Sequence, residues 1–229
     1  MSETRRLAVV AGATSGMGWE IARDLSADHE VVALGRSASA LAELDALPGV
    51  SAMSCDITSA AEREALASRL ERVDVLVHAA SGDTGATGGV DEWEAMVGMF
   101  LIAPAEMTRL MLPQLRASRG TVVFIGSGAS TKPTPGMPLY TAAKHGLRGY
   151  ADTLRIAEAP LGVRVATVAP GPTDTPGLRV SRSRSGAPYE PERYIRPSSV
   201  AGAVRFVVDA PDDVHLTDVA VRPRVELSR

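Results

Sequence analysis

The sequence predicts one α/β domain over residues 1–229, a doubly wound parallel sheet of about seven strands with helices on both faces. Three observations support this fold class. Short apolar runs alternate with helical patterns along the chain, a glycine-rich turn joins the first apolar run to the first helical pattern, and 229 residues suit one well-filled domain. Such units pair in parallel through right-handed crossovers, so their strands are expected to end at one edge of the sheet.

The composition excludes several classes of protein. Apolar residues make up 45% of the chain and charged residues 22%, and a net charge of −3 is too small to indicate a nucleic-acid-binding surface. A single cysteine, Cys55, excludes an intrachain disulfide and fits a reducing cytoplasm. No stretch approaches the length of a membrane span, the N-terminus lacks a signal-peptide pattern, and no Cys, His and carboxylate cluster has metal-ligand spacing. We therefore expect a cytoplasmic protein without metal, membrane or nucleic-acid partners.

The first predicted strand, 7–11, runs directly into the glycine-rich turn Gly12–Gly18, and a helical pattern follows it. Glycines at this place let the backbone approach a pyrophosphate. The helix N-terminus supplies free N–H groups and the positive end of its dipole. This stretch is a candidate nucleotide cradle, and a tight structural turn is the alternative.

The second predicted strand, 31–34, ends at Gly35 and Arg36. An acidic residue here would bond the ribose hydroxyls of an adenosine and repel a 2′-phosphate, whereas glycine and arginine offer that phosphate space and a guanidinium. A solvated surface arginine is the alternative. The patterns then predict helix 37–47, strand 51–55 before Asp56, helix 60–72 opened by the capping pair Ser59 and Glu62, and strand 73–77.

The second half of the chain begins with a glycine-rich segment, 82–89, and a long helix capped by Asp91 with Glu94. The apolar content of this helix is too wide for one core-facing stripe. We therefore expect part of it to pack on a partner subunit, and a wholly intramolecular core is the alternative. The remaining elements are predicted as strand 121–125, a helix carrying Tyr140 and stopped by Pro160, strand 163–169, a helix from Ser198 to Val208, and strand 216–221.

Tyr140 and Lys144 lie four residues apart, one turn from each other on one helix face. An ammonium beside a phenol stabilises the phenolate, and a phenol tuned in this way can exchange a proton with a carbonyl or alcohol oxygen. The hydroxyl of Ser127, after strand 121–125, could hold the same oxygen. An isolated pair would favour a packed tyrosine and a solvated lysine. The predicted topology overturns that reading, because it brings these residues to the sheet edge that also carries the glycine turn, Arg36, Asp56 and Pro170-Gly171.

Residues 172–197 contain many prolines and no clear periodicity, and we interpret them as a lid over the strand ends. Five arginines lie in this segment. They either keep a mobile lid solvated or select a substrate that carries a carboxylate or phosphate. The five are Arg179, Arg182, Arg184, Arg193 and Arg196.

Taken together, these motifs resemble the short-chain dehydrogenase/reductase family over nearly the whole chain, in the order and spacing of its Rossmann-type fold. The resemblance implies that Tyr140 is the acid/base, that Ser127 orients the carbonyl, and that Lys144 tunes Tyr140 and binds the nicotinamide ribose. It further implies that Asp56 contacts the adenine and that Thr175 lies near the nicotinamide amide. The implied cofactor-binding residues are Gly12, Thr14, Ser15, Gly16, Met17, Gly18, Arg36, Asp56, Ile57, Ala79, Tyr140, Lys144, Pro170, Gly171, Thr173 and Thr175.

The chain departs from the family pattern at three places. Ala11 stands where a threonine usually opens the glycine motif, and His78-Ala79-Ala80-Ser81 replaces the usual Asn-Asn-Ala-Gly. Phe100 aligns with an asparagine that in relatives helps to hold a water between the lysine and solvent. Pro104 has no N–H for the carbonyl of Phe100 and should kink the helix there.

The sequence as a whole predicts an oxidoreductase that uses NADP(H) and transfers hydride between nicotinamide and a small carbonyl or alcohol substrate. Its assembly is expected to be a homodimer or homotetramer. The alternative from another class is a non-catalytic or weakly active dinucleotide-binding regulatory protein on the same fold, suggested by His78 and Phe100. An intact set of Ser127, Tyr140 and Lys144 argues for the enzyme.

Overall fold

A seven-stranded sheet organises the computed structural model, which describes residues 5–82 and 88–225. All of its strand pairs are parallel, and the strand order is β3-β2-β1-β4-β5-β6-β7. The order reverses between β1 and β4, as in a doubly wound sheet, which confirms the predicted fold class. The strands are β1 (Arg6–Ala11), β2 (His29–Gly35), β3 (Val50–Ser54), β4 (Val75–His78), β5 (Thr121–Ile125), β6 (Arg164–Pro170) and β7 (Asp218–Val221).

Within the described residues, eight α-helices cover the two faces of the sheet and follow the strands in the predicted alternation. A π-helical turn, Gly98–Ile102, joins α4 to α5, and short 3-10 turns lie at Gly128–Ser130, Ala159–Leu161 and Pro191–Arg193. The α-helices are α1 (Gly16–Leu25), α2 (Ala38–Asp45), α3 (Ala60–Arg69), α4 (Val90–Val97), α5 (Ala103–Ser118), α6 (Pro138–Glu158), α7 (Pro176–Ser185) and α8 (Pro197–Val208).

The five central strands, β2, β1, β4, β5 and β6, are buried on both faces, because each face packs against its own helix layer, whereas the edge strands β3 and β7 are partly exposed. Along β1, Ala8 and Val10 face the cluster that contains α1 and α8, while Val9 and Ala11 face the cluster that contains α3, α5 and α6. This two-sided burial explains why the strands read as continuous apolar runs.

Two predicted helix starts are wrong. The long helix begins after Gly89, whose N–H is bonded by the carboxylate of Glu92, so the cap is not Asp91 with Glu94. Helix α8 begins at Pro197, one residue before the predicted cap Ser198, because a proline is favourable in the first helical turn, where its missing N–H has no partner to lose. Gly85 of the predicted glycine-rich segment lies among residues 83–87, outside the described residues.

The helical stretch Val90–Ser118 corrects another sequence reading. By length and composition it could cross a membrane, with a mean hydropathy of 1.4, whereas no stretch of that kind was predicted. Met107, Met111 and Leu115 on this stretch are fully buried against the sheet, as in the core helix of a globular domain. The intramolecular core thus accounts for one face of the helix, while Trp93 and Ile102 remain 39% and 51% exposed.

Candidate active site

The candidate site lies where β1, β4, β5 and β6 end, around the point at which the strand order reverses. Parallel sheets of this topology bind their ligands at this edge. A cleft here has walls from the turn after β1, the ends of β2 and β3, and the chain after β4. It is lined by Gly12, Thr14, Ser15, Gly35, Arg36, Cys55, Asp56, Ile57, Ala80, Ser81 and Met99.

The glycine-rich turn forms a close-packed cradle in which side chains could not fit. Gly12 has φ +83°, and a Cβ built on it would lie 2.3 Å from Ala80 Cα. A Cβ at Gly18 would lie 2.1 Å from the carbonyl oxygen of Gly12. Helix α1 follows, and no side chain caps its first turn and no acidic residue occupies it. Its free N–H groups and positive dipole end therefore fit the pyrophosphate of a dinucleotide.

Arg36 lies at the rim of the cleft, directly after β2. A Cβ at the preceding Gly35 would meet Thr14 Cγ2 at 2.2 Å, so the glycine lets Thr14 pack beside the arginine. The guanidinium lies 3.7 Å from the Asp56 carboxylate, in a partly exposed pair of the kind that contributes little to stability. Hydrogen bonds from the hydroxyl and N–H of Thr58 hold the pKa of Asp56 below its usual value, so this carboxylate is ionised.

Ser127 and Tyr140 form the centre of the acid–base half of the site. Ser127 follows β5 and accepts the Ala129 N–H on its hydroxyl oxygen at 3.1 Å. Tyr140 lies in the first turn of α6 and is hydrogen-bonded to Ser127. Burial raises the pKa of Tyr140, and the bond with Ser127 opposes this rise. The described structure thus pairs the two hydroxyl groups that the sequence nominated separately.

Lys144 lies one turn along α6, and its ammonium bonds a backbone carbonyl of β5. Its Nζ donates to the carbonyl oxygen of Ile125 at 2.9 Å and is 5.8 Å from the centroid of the Tyr140 ring. Burial lowers the pKa of Lys144 to about 8. Burial is the largest influence on the pKa of Tyr140 and raises it, whereas the sequence predicts that Lys144 lowers it.

Phe100 occupies the space between these two side chains. Its ring packs edge-on against Tyr140 at 5.2 Å between centroids, and Lys144 Nζ lies 4.8 Å over its face, a cation–π contact. Phe100 lies within the π-helical turn Gly98–Ile102. The predicted disturbance before Pro104 is thus present, as a π-helical turn of the kind often found at functional sites.

The chain after β6 crosses the glycine turn. Thr175 caps α7, and its Cγ2 would lie 3.0 Å from a Cβ on Gly16, so the two segments touch at the cradle. Thr173 is buried and donates to the carbonyl oxygen of Gly171, which follows Pro170 at the end of β6. These residues lie at the strand ends, as predicted.

The predicted lid segment, 172–197, is more regular than its sequence indicated. It contains helix α7 over 176–185. The guanidinium groups of Arg179 and Arg182 lie over the rings of Tyr189 and Tyr194, at 4.9 Å and 5.8 Å. Tyr189 also bonds Asp174. These arginines thus have aromatic partners inside the segment, which sequence periodicity could not reveal.

Ten of the sixteen predicted cofactor residues lie outside the cleft lining, and several lining residues were missed. The ten are Gly16, Met17, Gly18, Ala79, Tyr140, Lys144, Pro170, Gly171, Thr173 and Thr175. Among them, the Ala79 N–H continues the ladder of β4 by donating to the carbonyl oxygen of Ala11, and Met17 lies in α1 and packs on the core. Ala80, Ser81 and Met99 line the cleft, although the sequence does not predict them as cofactor-binding residues. Ala80 and Ser81 were recognisable only as part of His78-Ala79-Ala80-Ser81, which departs from the family pattern. Within 5–82 and 88–225, no group of three or more His, Cys, Asp or Glu side chains is arranged to hold a metal.

Comparison with known proteins gives a consistent result. A family model described as short chain dehydrogenase matches residues 6–185. An uncharacterised oxidoreductase of Mycobacterium tuberculosis is 35% identical over 234 residues, which cover 98% of this chain and 93% of the relative. A crystal structure from Corynebacterium glutamicum, described as a short-chain dehydrogenase/reductase, is 42% identical with a TM-score of 0.76 and covers 96% of this chain and 100% of its own. A metagenomic short-chain oxidoreductase in complex with NADP is 28% identical with a TM-score of 0.81 and covers 96% and 98%.

Proposed function

The chain belongs to the short-chain dehydrogenase/reductase family, and we propose that it is an NADP(H)-dependent oxidoreductase that interconverts a small carbonyl compound and an alcohol. The observation that carries this proposal is the hydrogen-bonded pair of Ser127 and Tyr140 beside the glycine cradle, with Lys144 one turn away. A protein that only senses a dinucleotide needs the cradle and not the pair.

The cradle supports the cofactor assignment. We assign the pyrophosphate to the turn Gly12–Gly18 and the first turn of α1, where the backbone is uncovered by side chains. We assign the 2′-phosphate to Arg36, with the N-terminus of α2 and its capping Ser37 directly after it. The solved relative that binds NADP is consistent with this choice. When bound, nicotinamide would supply or accept the hydride, and the protein supplies the proton.

Ser127 is suited to hold the substrate oxygen. Its hydroxyl oxygen already accepts the Ala129 N–H, so its own proton is available for Tyr140 or for a carbonyl oxygen. During reduction, that donor stabilises the negative charge that develops on the carbonyl oxygen. Tyr140 then transfers its phenolic proton to this oxygen.

Lys144 stabilises the phenolate that remains on Tyr140. With its pKa lowered to about 8 by burial, Lys144 is mostly charged at neutral pH. The same burial that raises the pKa of Tyr140 strengthens any attraction between ammonium and phenolate. Reduction should therefore weaken as the pH rises through the pKa of Lys144, because the neutral amine no longer supports the phenolate.

A turnover assay with NADPH and a panel of aldehydes and ketones tests the proposal. Tyr140→Phe keeps the ring and removes the transferable proton, so turnover should fall by about 10²–10⁴ while NADPH still binds. Tyr150→Phe is the matched control, because Tyr150 lies on the same helix and its hydroxyl bonds Ala105. Near-normal turnover in Tyr140→Phe would exclude the acid/base role. NADPH binding without turnover of any panel member would favour the regulatory alternative.

We also propose a homodimer or homotetramer located in the cytoplasm. Large apolar side chains remain exposed on three helices, at Trp93, Ile102, Ile156 and Phe206. Exposed apolar groups of this size support subunit contacts. Light scattering coupled to size exclusion measures the assembly directly, and a monomer at micromolar concentration would contradict the proposal.

A further inference from the structure

A small cavity adjoins Lys144. It has room for one water molecule and not for a substrate. Met99 and Ala80 line both the cavity and the cofactor cleft, so the two spaces are neighbours. The cavity walls are Ile57, His78, Ala80, Met99, Phe100, Pro104, Ile125, Lys144 and Leu147.

The hydrogen bonds of His78 determine which of its ring nitrogens carries the proton. His78 Nε2 lies 2.8 Å from the hydroxyl oxygen of Thr108, and the same hydroxyl lies 2.8 Å from the carbonyl oxygen of Pro104. A carbonyl can only accept, so the single hydroxyl proton of Thr108 goes to Pro104. The two contacts are satisfied together only if His78 donates from Nε2, which leaves Nδ1 as an acceptor.

His78 Nδ1 is a buried acceptor that lacks a partner. The side chain is 5% exposed, and no group among the described residues bonds Nδ1. Burial lowers the pKa of His78 to about 3, so the ring is neutral and Nδ1 keeps its lone pair. A buried acceptor of this kind carries a free-energy cost unless a donor reaches it.

Lys144 lines the same cavity as His78 and offers a donor. An ammonium has three protons, and Nζ makes one described hydrogen bond, to the carbonyl oxygen of Ile125. Phe100, which forms the adjacent wall, cannot accept a conventional hydrogen bond with its side chain.

The π-helical turn supplies a second acceptor. The Ala103 N–H, which would bond Met99 in an α-helix, bonds Gly98 instead. The next residue in line for the carbonyl oxygen of Met99 is Pro104, which has no N–H. The Met99 carbonyl thus lacks both the α-helical and the π-helical donor, and Met99 lines the cavity.

We propose that one water molecule occupies this cavity, accepts a hydrogen bond from Lys144 Nζ, and donates to His78 Nδ1 and to the carbonyl oxygen of Met99. His78 is then a positioning residue that acts on Lys144 through this water. The water would have three polar partners, the usual number for a buried water. The role in catalysis rests on the function proposed for Lys144, whereas the water and its partners do not.

The arrangement predicts how removal of the acceptor changes the titration of Lys144. The titratable side chains around Lys144 are Tyr140 on its own helix and His78 on β4, and the rings and carbonyl of Phe100 and Ile125 complete its surroundings. No carboxylate contributes to its pKa, which is lowered by burial. Loss of the water would remove a hydrogen bond to the charged form, and the pKa of Lys144 should fall further.

Two substitutions separate the acceptor from the rest of the ring. In His78→Asn, the amide oxygen can take the place of Nδ1 and keep the water bound. In His78→Gln, the longer amide reaches the place of Nε2 beside Thr108 and leaves the Nδ1 position without an acceptor. Both replace a buried ring by an amide, and the larger Gln loses less packing than Asn, so a larger effect of His78→Gln could not come from lost packing.

The chain has two lysines, Lys132 and Lys144, which makes a direct measurement possible. Lysine-specific ¹³C labelling and NMR titration of the ligand-free protein should give two signals, with the exposed Lys132 as internal reference. We expect His78→Gln to lower the pKa of Lys144 by about one unit, and His78→Asn to leave it within about 0.3 units. The alkaline limb of the pH–rate profile should move by the same amount.

Equal pKa values of Lys144 in the unmutated protein and His78→Gln would overturn the positioning role. A high-resolution crystal structure of the unmutated ligand-free protein supplies a test that needs no variant. Absence of a water between Nζ and Nδ1 in that structure would overturn the proposal, including the case in which His78→Gln does not fold. Neither the titration nor the crystal structure depends on turnover. A protein without reductase activity would refute the proposed function, whereas the water and its partners would still be tested by these two measurements.

Discussion

The two halves of the candidate site are built in different ways. The cradle half, from Gly12 to Gly18 with Arg36 and Asp56, is formed by close backbone contacts and by residues at the ends of β1 to β3. The acid–base half, around Ser127, Tyr140 and Lys144, is formed by side chains from β5, α6 and the π-helical turn.

This difference predicts where side-chain exchange is tolerated. In the cradle, a Cβ at Gly12 or Gly18 would clash with backbone at about 2 Å, and backbone cannot move without disturbing the sheet. In the acid–base half, Phe100 and His78 stand where the family pattern has asparagines, whereas Ala11 is the departure that directly precedes the glycine turn. The cradle should therefore tolerate almost no substitution, and the acid–base half should tolerate exchange of the supporting side chains more readily than exchange of the reacting ones.

The largest expected effect comes from Gly12→Ala. The added Cβ would meet Ala80 Cα at 2.3 Å, in a backbone with φ +83°, so strain and overpacking together should lower the free energy of unfolding by roughly 3 kcal/mol or more. NADPH binding should be lost. Gly149→Ala in α6 is the control, since nothing lies within 4 Å of its Cβ position. Urea unfolding and NADPH fluorescence titration measure both quantities, and a stable Gly12→Ala protein that binds NADPH would break the comparison.

Lys144→Met should stabilise the protein while impairing turnover and cofactor binding. The folded pKa of Lys144, about 8, lies below its ordinary value of 10.5, so the charged form is disfavoured by folding at every pH below 8. Keeping Lys144 charged in the folded protein costs up to about 3 kcal/mol of folding free energy at neutral pH. The hydrogen bond from Lys144 to the carbonyl oxygen of Ile125 offsets part of this cost. The stability of the unmutated protein should accordingly rise between pH 8 and 10.5.

Denaturant unfolding at pH 7 and pH 10.5 checks this expectation. Lys144→Met should lose the rise with pH, and Lys132→Met, at the exposed lysine, should keep it. A Lys144→Met protein that is less stable than the unmutated one at pH 7 would show that the ammonium contributes more through its bonds than burial costs.

Arg36→Gln should change cofactor choice without damaging the fold. A charge-assisted pair with the 2′-phosphate contributes roughly 1.5–3 kcal/mol, so NADPH affinity should fall about ten- to a hundredfold while NADH affinity stays the same. The partly exposed Asp56 carboxylate, 3.7 Å from the Arg36 guanidinium, reduces this effect toward the lower figure. Arg23→Gln at the far end of α1 is the matched control. Equal affinity of the unmutated protein for NADH and NADPH would exclude the preference.

The smallest expected effect comes from the arginines of the lid segment. Because Arg179 and Arg182 lie over Tyr189 and Tyr194, we expect Arg179→Gln and Arg182→Gln to loosen the segment and raise KM only a few-fold. The change should be equal for neutral and anionic carbonyl substrates. A loss confined to anionic substrates, singly or together with Arg184→Gln, would instead assign these arginines to substrate selection.

The sequence by itself determined the sheet and the cradle. Parallel strands that are buried on both faces consist of continuous apolar runs, and a turn suited to approach a phosphate is rich in glycine. Both features can therefore be recognised in short segments of the sequence. The spacing of Tyr140 and Lys144 fixed their shared helix face in the same way. The helix starts at Gly89 and Pro197 were predicted wrongly, because one or two hydrogen bonds decide where a helix begins and several neighbouring residues could make them.

Only the tertiary structure decided the surroundings of the acid–base pair. Lys144 is directed to the carbonyl of Ile125, 19 residues earlier in the chain, and His78 meets Thr108 across 30 residues. Such contacts depend on how strands and helices pack against each other, and no local pattern encodes them. The same packing desolvates Tyr140 and Lys144, which raises the pKa of the phenol and lowers the pKa of the ammonium. These pKa values therefore depend on the fold and cannot be deduced from the spacing of the two residues.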